Sequence, residues 1–172
     1  MLSLFKRSRP TPALGNAPAL HREHVAQRVG QHLGKILQGQ RGKLTHDLAD
    51  FVLKLMECAH RPRHSEDYVI VVATMACEYV RRFSTVAAAT AHNGGLTSEW
   101  HNNLVFSLIS ACFVLSINQL DDYLFSNREW AKRVGMSLKE LNKMQLLVCT
   151  RLDWKLFVSE QEFETQCQQV VM

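Results

Sequence analysis

Glycine and proline are scarce in this sequence, with 8 and 4 residues respectively among 172. This low content excludes collagen-like repeats and argues against an all-β chain, which needs many turns. Long apolar runs are also absent, because the longest, Leu104–Ile117, has only fourteen residues. A bilayer-spanning helix takes about 20 residues, so this run predicts a buried core helix and no membrane partner. Apolar residues make up 47% of the chain and charged residues 21%, which is typical of one globular domain.

The cysteines lack the spacing of a metal site or a redox motif. Five are present, an odd number, and no Cys-x-x-Cys occurs. Each lies among apolar residues, where a free cysteine behaves as a small hydrophobic side chain. Because residues 1–20 contain no apolar signal segment, we expect a reduced, intracellular protein of the nucleus or cytoplasm. The basic, acid-free opening MLSLFKRSRP leaves a mitochondrial presequence as the alternative.

Positive charge is concentrated at one end of the chain. Residues 1–43 carry a net charge of +7, whereas residues 44–172 carry −3. A basic lead followed by a mildly acidic body does not predict a nucleic-acid-binding domain, so we expect no nucleic-acid partner. Three prolines and few large apolar residues predict that residues 1–19 form a flexible lead.

Helical periodicity extends from residue 20 towards the end of the chain. Within 20–43, apolar residues recur every three or four positions and predict a helix followed by a glycine-containing linker. Gly30 weakens that helix by about 1 kcal/mol relative to alanine. Beyond this segment we expect a helix capped by Thr45 and a second capped by Ser65. A third, capped by Thr97, is apolar almost all round and is predicted to lie at the centre of the core.

Three capping boxes mark helix starts in the last third of the chain. In each, a glutamate follows a serine by three residues, so that two unpaired N–H groups at the helix end are satisfied reciprocally. The pairs are Ser126/Glu129, Ser137/Glu140 and Ser159/Glu162. They predict helices over 127–134, 138–152 and 160–171. Since no alternating strand pattern competes with these helices, we expect an all-α fold.

Motifs of catalysis and of metal binding are absent. The sequence has neither GxSxG nor a complete phosphate-binding loop. His21 and His24 have metal-like spacing but are predicted to face solvent, and His60 and His64 straddle the helix-breaking Pro62. We therefore expect no catalytic residues, no metal, no cofactor and no small-molecule substrate.

The stretch that starts at Leu120 carries a recognisable pattern, LDDYLFSNREWAKRVGMSLKELNKMQLLVCTRLDWKLFVSEQEF. Its distinctive positions are Asp122, Ser126-Asn127, Ala131-Lys132, Gly135, Glu140-Leu141-Asn142 and Leu152-x-Trp154-x-Leu156, preceded upstream by Glu78-Tyr79-Val80-Arg81-Arg82-Phe83. This pattern resembles the cyclin box of the single-box P/U-type cyclins related to the yeast phosphate-pathway cyclin. The resemblance covers about residues 44–165. It implies a five-helix cyclin-box fold in a domain over 44–172, with flanking N- and C-terminal helices.

A cyclin box docks a cyclin-dependent kinase and holds its regulatory helix in place, so catalysis belongs to the partner. The resemblance therefore implies a non-catalytic regulatory subunit whose partner is a kinase of this type. A lysine and a glutamate usually anchor the contact in the family, and here Asn118 and Gln145 stand at those positions. The alternative is a cyclin-fold scaffold or adaptor that binds a protein other than a kinase.

The partner-binding surface implied by the resemblance comprises Leu115, Asn118, Gln119, Gln145, Cys149, Trp154 and Leu156. By composition its aliphatic and thiol members suit the core better than an interface. Trp154 suits either, because tryptophan is enriched at interface hot spots. Asn127 is expected to cap a helix or to brace a turn.

Overall fold

The computed structural model describes residues 19–37, 44–60, 65–91, 102–121 and 125–171. Within these residues all regular structure is helical, which confirms the expected all-α fold. The helices are α1 (Ala19–Ile36), α2 (Leu44–Ala59), α3 (Glu66–Ala91), α4 (Asn102–Leu120), α5 (Asn127–Val134), α6 (Leu138–Arg151) and α7 (Glu160–Val171). The five helices α2 to α6 match the number expected of the box, and α1 and α7 flank them. Most of the predicted lead and the predicted cap Thr97 lie outside the described residues.

The apolar helix α4 lies at the centre of the core, as its sequence predicts. Every residue from Leu108 to Ile117 is buried, and the helix packs against α3 and α6. A helix that is apolar all round needs neighbours on several sides, and these two helices provide them. Even so, no helix in the described part of the chain is long and apolar enough to span a bilayer.

All three capping boxes form. Ser126 N donates to Glu129 Oε2 at 2.9 Å, and Glu129 N donates back to Ser126 Oγ at 3.4 Å. The same reciprocal pair of bonds occurs at the starts of α6 and α7. Hydrogen bonds from each serine hold the pKa of its partner glutamate below the usual value. Because the boxes form, α5, α6 and α7 all begin at the predicted residues. The helices α5 and α7 also end where predicted, whereas α6 ends one residue earlier, at Arg151.

The caps predicted for two earlier helices differ in outcome. Ser65 Oγ accepts a hydrogen bond from Tyr68 N at 3.3 Å, which confirms Ser65 as the cap of α3. In contrast, α2 begins at Leu44, so Thr45 lies inside its first turn and the prediction of a cap there is wrong. A residue type that favours caps locates a helix start only to within one or two positions.

The N-terminal helix α1 packs against α2, α3 and α7, and buries Val25, Val29 and Leu33. Gly30 lies where α1 meets α2. A Cβ atom at this position would lie 2.8 Å from both the backbone N and the Cα of Ala49. Gly30 therefore has a second role besides weakening the helix, because its missing side chain lets the two backbones approach closely.

We expect Gly30→Ala to lower the free energy of unfolding by about 1–3 kcal/mol, the usual range for overpacking. Helix propensity alone predicts the opposite, a gain of about 1 kcal/mol. The measurement is urea unfolding, with Gln27→Ala as the matched control because Gln27 is exposed on the same helix. A Gly30→Ala variant as stable as the wild type would contradict the close approach of α1 to α2.

Candidate partner-binding surface

The segment between α6 and α7, residues 152–159, is here named the connector. It begins with a hydrogen-bonded helix end, in which Asp153 N donates to the Thr150 carbonyl at 3.2 Å and Trp154 N donates to the Cys149 carbonyl at 2.8 Å. This is the pattern of a Schellman motif, which usually has glycine at its left-handed position. Here Asp153 occupies it, with φ of 52°, and Trp154 follows with φ of 58°.

Trp154 is unusual in its backbone as well as in its exposure. Aspartate tolerates the left-handed region, but an aromatic residue is held there at a cost of about 1–3 kcal/mol. The indole is nevertheless 64% exposed, so burial of its ring does not offset this strain. Strain of this kind persists only where surrounding contacts fix the backbone, and it concentrates at functional sites.

Two side chains of α3 fix the backbone of the connector. Arg82 Nη1 donates to the carbonyl oxygens of Lys155 and Phe157, both at 3.0 Å. Tyr79 Oη donates to the carbonyl of the intervening Leu156 at 2.7 Å. Three consecutive carbonyl groups of an irregular segment are thereby bonded to the body of the domain, which fixes the path of the connector backbone.

The connector alternates between buried and exposed apolar side chains. Leu156 packs against the hydrophobic core, whereas Phe157 is 77% exposed. Both the backbone and the side chain of Leu156 are therefore held by the domain, through the bond from Tyr79 and through packing. The rings of Trp154 and Phe157 on either side of it remain exposed to solvent. The neighbouring ion pair of Lys155 with Asp153 at 2.9 Å is fully at the surface and contributes little to stability.

A buried carboxylate orients Arg82. The Glu78 side chain is only 1% exposed and accepts from Arg82 Nε at 2.7 Å and from Arg81 Nε and Nη2 at 2.7 and 2.6 Å. Gln166 Nε2 of α7 adds a fourth bond at 3.0 Å. Arg82 Nη2 also pairs with Glu162 at 2.8 Å, so this guanidinium joins α3, the connector and α7. These partners compensate the desolvation of Glu78, and the hydrogen bonds from Arg81 raise the pKa of its own guanidinium.

Gln145 and Asn118, at the two anchor positions of the resemblance, each retain one unpaired polar atom. Asn127 Nδ2 donates to Gln145 Oε1 at 2.7 Å and to Asn142 Oδ1 at 2.8 Å, so Asn127 braces α5 against α6. Gln145 Nε2 and Asn118 Oδ1 are buried atoms without a hydrogen-bond partner. One is a donor and the other an acceptor, and leaving such a group unpaired costs about 1–3 kcal/mol.

The remaining residues of the predicted surface lie at different depths. Leu115 and Cys149 are buried in the core, Leu156 is half-buried and Gln119 is exposed. Trp154 is too exposed to be a core residue. The amides Asn118 and Gln119 lie at the end of α4, whereas the large exposed apolar residues lie in α6 and the connector.

Sequence reasoning missed three of the large apolar residues that the structure leaves exposed. Together with Trp154, they form what we name the exposed apolar set: Leu146, Leu147, Trp154 and Phe157. The exposure of Leu146 and Leu147 could have been predicted from helical periodicity. The buried face of α6 follows Leu141, Met144 and Val148, and neither leucine lies on that face. Large apolar residues grouped on a surface mark an interaction site, while isolated ones need no explanation.

No model of a known protein family matches the chain, and no solved structure matches it significantly. Two curated proteins of Arabidopsis thaliana are similar to parts of it. Cyclin-U3-1 is 35% identical over 66 residues, which are 38% of this chain and 30% of that protein. Cyclin-U1-1 is 30% identical over 100 residues, which are 58% of this chain and 46% of that protein. The chain thus spans less than half the length of these relatives. The similarities support a relation to the cyclin family.

We expect Arg82→Ala to release the connector and to destabilise the fold by about 3–5 kcal/mol, because a buried charge loses one of its partners. Urea unfolding gives the stability, and hydrogen exchange at the Lys155 and Leu156 amides reports on the connector. Arg81→Ala is the matched control, since the Arg81 guanidinium bonds the same carboxylate and not the connector. Equal acceleration of exchange in both variants would contradict the role given to Arg82.

Proposed function

We propose that this chain is a non-catalytic regulatory subunit of the single-box P/U cyclin type, which binds and positions a cyclin-dependent-type protein kinase. The observation that carries the proposal is the fixed display of Trp154 and Phe157 beside α6, on an all-helical body related to cyclins. A regulatory subunit of this class contributes a rigid face, and the partner contributes the catalytic groups.

Rigidity of the connector is what makes an exposed aromatic pair suitable for binding. Because three carbonyls are bonded to α3, the rings of Trp154 and Phe157 are presented from a backbone that has little freedom left to lose. Preorganisation of this kind raises affinity by reducing the entropy lost on association. Tryptophan is also among the residue types that most often dominate binding energy.

The exposed apolar set falls within twelve residues of chain, at the C-terminal half of α6 and in the connector. This places apolar surface close to the anchor position Gln145, which lies directly before Leu146. We infer that the kinase covers this region, with apolar burial as the main source of affinity. The unpaired Gln145 Nε2 and Asn118 Oδ1 have almost no accessible surface in the free chain, so they would bond polar groups of the partner only if their side chains turned outward on binding.

Isolation of the chain from its own cells tests the class of partner. A kinase recovered at near-equal stoichiometry would support the proposal. Repeated recovery of a different protein at that stoichiometry, without any kinase, would contradict it and favour an adaptor that binds another class of protein.

We expect Trp154→Ala to weaken binding to the recovered kinase by about 2 kcal/mol, or about 30-fold, as for an interface hot spot. The melting temperature should change little, because the ring is exposed. The measurements are isothermal titration calorimetry and thermal unfolding, with Lys155→Ala as the control because Lys155 is the exposed neighbour. Unchanged affinity in both Trp154→Ala and Phe157→Ala would contradict the placement of the interface.

The neutral anchors predict weak dependence of binding on salt. Asn118 and Gln145 supply no charge, and apolar burial is not screened by ions. We expect the double variant Asn118→Lys plus Gln145→Glu to bind a typical cyclin-dependent kinase more tightly than the wild type and to lose affinity as salt rises. Each single variant should gain less, because one buried charge without its partner is costly.

Affinity for that kinase is measured for the wild type, both single variants and the double variant at two salt concentrations. Asn127 can still donate to a glutamate at position 145, so the brace between α5 and α6 survives the change. Wild-type binding that is tight and falls steeply with salt would show that other charges anchor the interface.

A further inference from the structure

A groove between α1 and α7, on elements that the proposed interface does not use, has a volume of about 290 Å³. Its lining includes His24, Arg28, His32, Lys35, Gln168 and Gln169, together with two further glutamines of α1. Every one of these side chains can donate a hydrogen bond, and none of the described residues that line the groove carries a carboxylate. None of the described residues that line the groove is a phenylalanine, tyrosine, tryptophan or aliphatic residue.

Within the described part of the chain, no carboxylate neutralises the positive charge of Arg28 and Lys35. Among the ion pairs of the described residues, none involves Arg28 or Lys35. Lys35 lies in the last turn of α1, where the helix dipole favours a cation, but Arg28 lies about two turns earlier and has no such explanation. A concave site lined by one sign of charge focuses the field and concentrates counter-ions.

Helical spacing places these donors together. His24, Arg28 and Lys35 follow one face of α1, while the buried Val25, Val29 and Leu33 follow another. His32 Nε2 bonds Gln166 Oε1 at 2.8 Å, so the two walls of the groove are joined to each other. That bond continues through Gln166 to Glu78, which ties the groove to the buried charge network.

We propose that this groove binds a small, soluble compound carrying two or more phosphate groups. Guanidinium and ammonium groups with amide donors are the chemistry that recognises phosphate oxygens. The volume lies near the lower end of small-molecule sites, about 300–1,000 Å³. Because the described lining consists of histidine, glutamine, arginine and lysine side chains, the ligand's binding groups are phosphates rather than a base or a lipid chain.

Such a ligand would contact α1 and α7 at once, and would therefore strengthen the docking of α1. A compound that binds only the folded state raises the unfolding temperature, and the rise continues with the logarithm of ligand concentration above Kd. The site thus gives two independent readouts, direct binding and thermal stabilisation, and neither depends on a kinase partner.

The test is titration of the full chain with tripolyphosphate, followed by two-dimensional amide NMR and by thermal unfolding. We expect saturable shifts at the amides of residues 24–35 and 166–169, and a rise in the unfolding temperature. Arg28→Gln plus Lys35→Gln should weaken binding about tenfold or more, since two charge-assisted bonds are lost. Without ligand this variant should unfold slightly below the wild-type temperature, because Lys35 no longer interacts favourably with the dipole of α1. Lys35→Glu should weaken binding further than Lys35→Gln, because the reversed charge repels the anion.

The control variant is Lys132→Gln plus Lys139→Gln, which removes two exposed lysines of α5 and α6. Equal weakening by the control, or shifts that do not saturate, would reduce the effect to nonspecific attraction and overturn the proposal. Tighter binding of a phosphopeptide through Arg28 and Lys35 would assign the groove to a protein instead. Flotation with vesicles containing a bisphosphorylated inositol lipid, lost in the same variant, would assign it to a membrane headgroup.

Discussion

The arrangement of this protein depends on one buried negative charge. Glu78 lies in α3 with almost none of its side chain exposed, and a carboxylate in such a position costs several kcal/mol unless it is paired. Arg82 is one of its partners and has donors left over, because a guanidinium carries five. Those donors reach two carbonyls of the connector and the capping glutamate of α7. Satisfying a charge inside the domain thereby fixes the position of a segment at its surface.

The backbone conformation at the end of α6 determines which side chains of the connector are exposed. A helix that ended in glycine would reach the same left-handed turn without strain, but it would present no side chain there. The chain instead places Asp153 and Trp154 in the left-handed region. The strain of Trp154 is tolerated because Tyr79 and Arg82 hold the next three carbonyls, so the indole stays outside while Leu156 returns to the core. An aromatic side chain kept exposed against both strain and the hydrophobic effect is best explained by a partner that covers it.

Local patterns predicted most of the fold but little of the surface. The three capping boxes and the apolar run of α4 depend on neighbours within one turn, and so they can be predicted from sequence. Gly30 was recognised as a weak helix position, whereas its close approach to Ala49 depends on how two helices meet. The bonds from Arg82 to Lys155 and Phe157 span more than 70 residues of chain, and no periodicity marks them. For the same reason the exposure of Phe157 could not be predicted, and composition left Trp154 compatible with either the core or an interface.

The neutral pair Asn118 and Gln145 changes how a partner would be selected. Charges across an interface mainly speed association and reject wrong partners, while apolar contacts supply much of the affinity. Without charge at the two anchor positions, discrimination has to come from shape and from hydrogen bonds. Gln145 is already oriented by Asn127, and its free donor lies one residue before Leu146, where the exposed apolar set begins. Gln145 Nε2 is unpaired already in the free chain, so a partner that offers it no acceptor adds no penalty there, whereas a partner that draws the amide outward and bonds it gains affinity. Under the proposed function, specificity at this surface would come from the amides of Asn118 and Gln145 and from two aromatic rings carried on a fixed backbone.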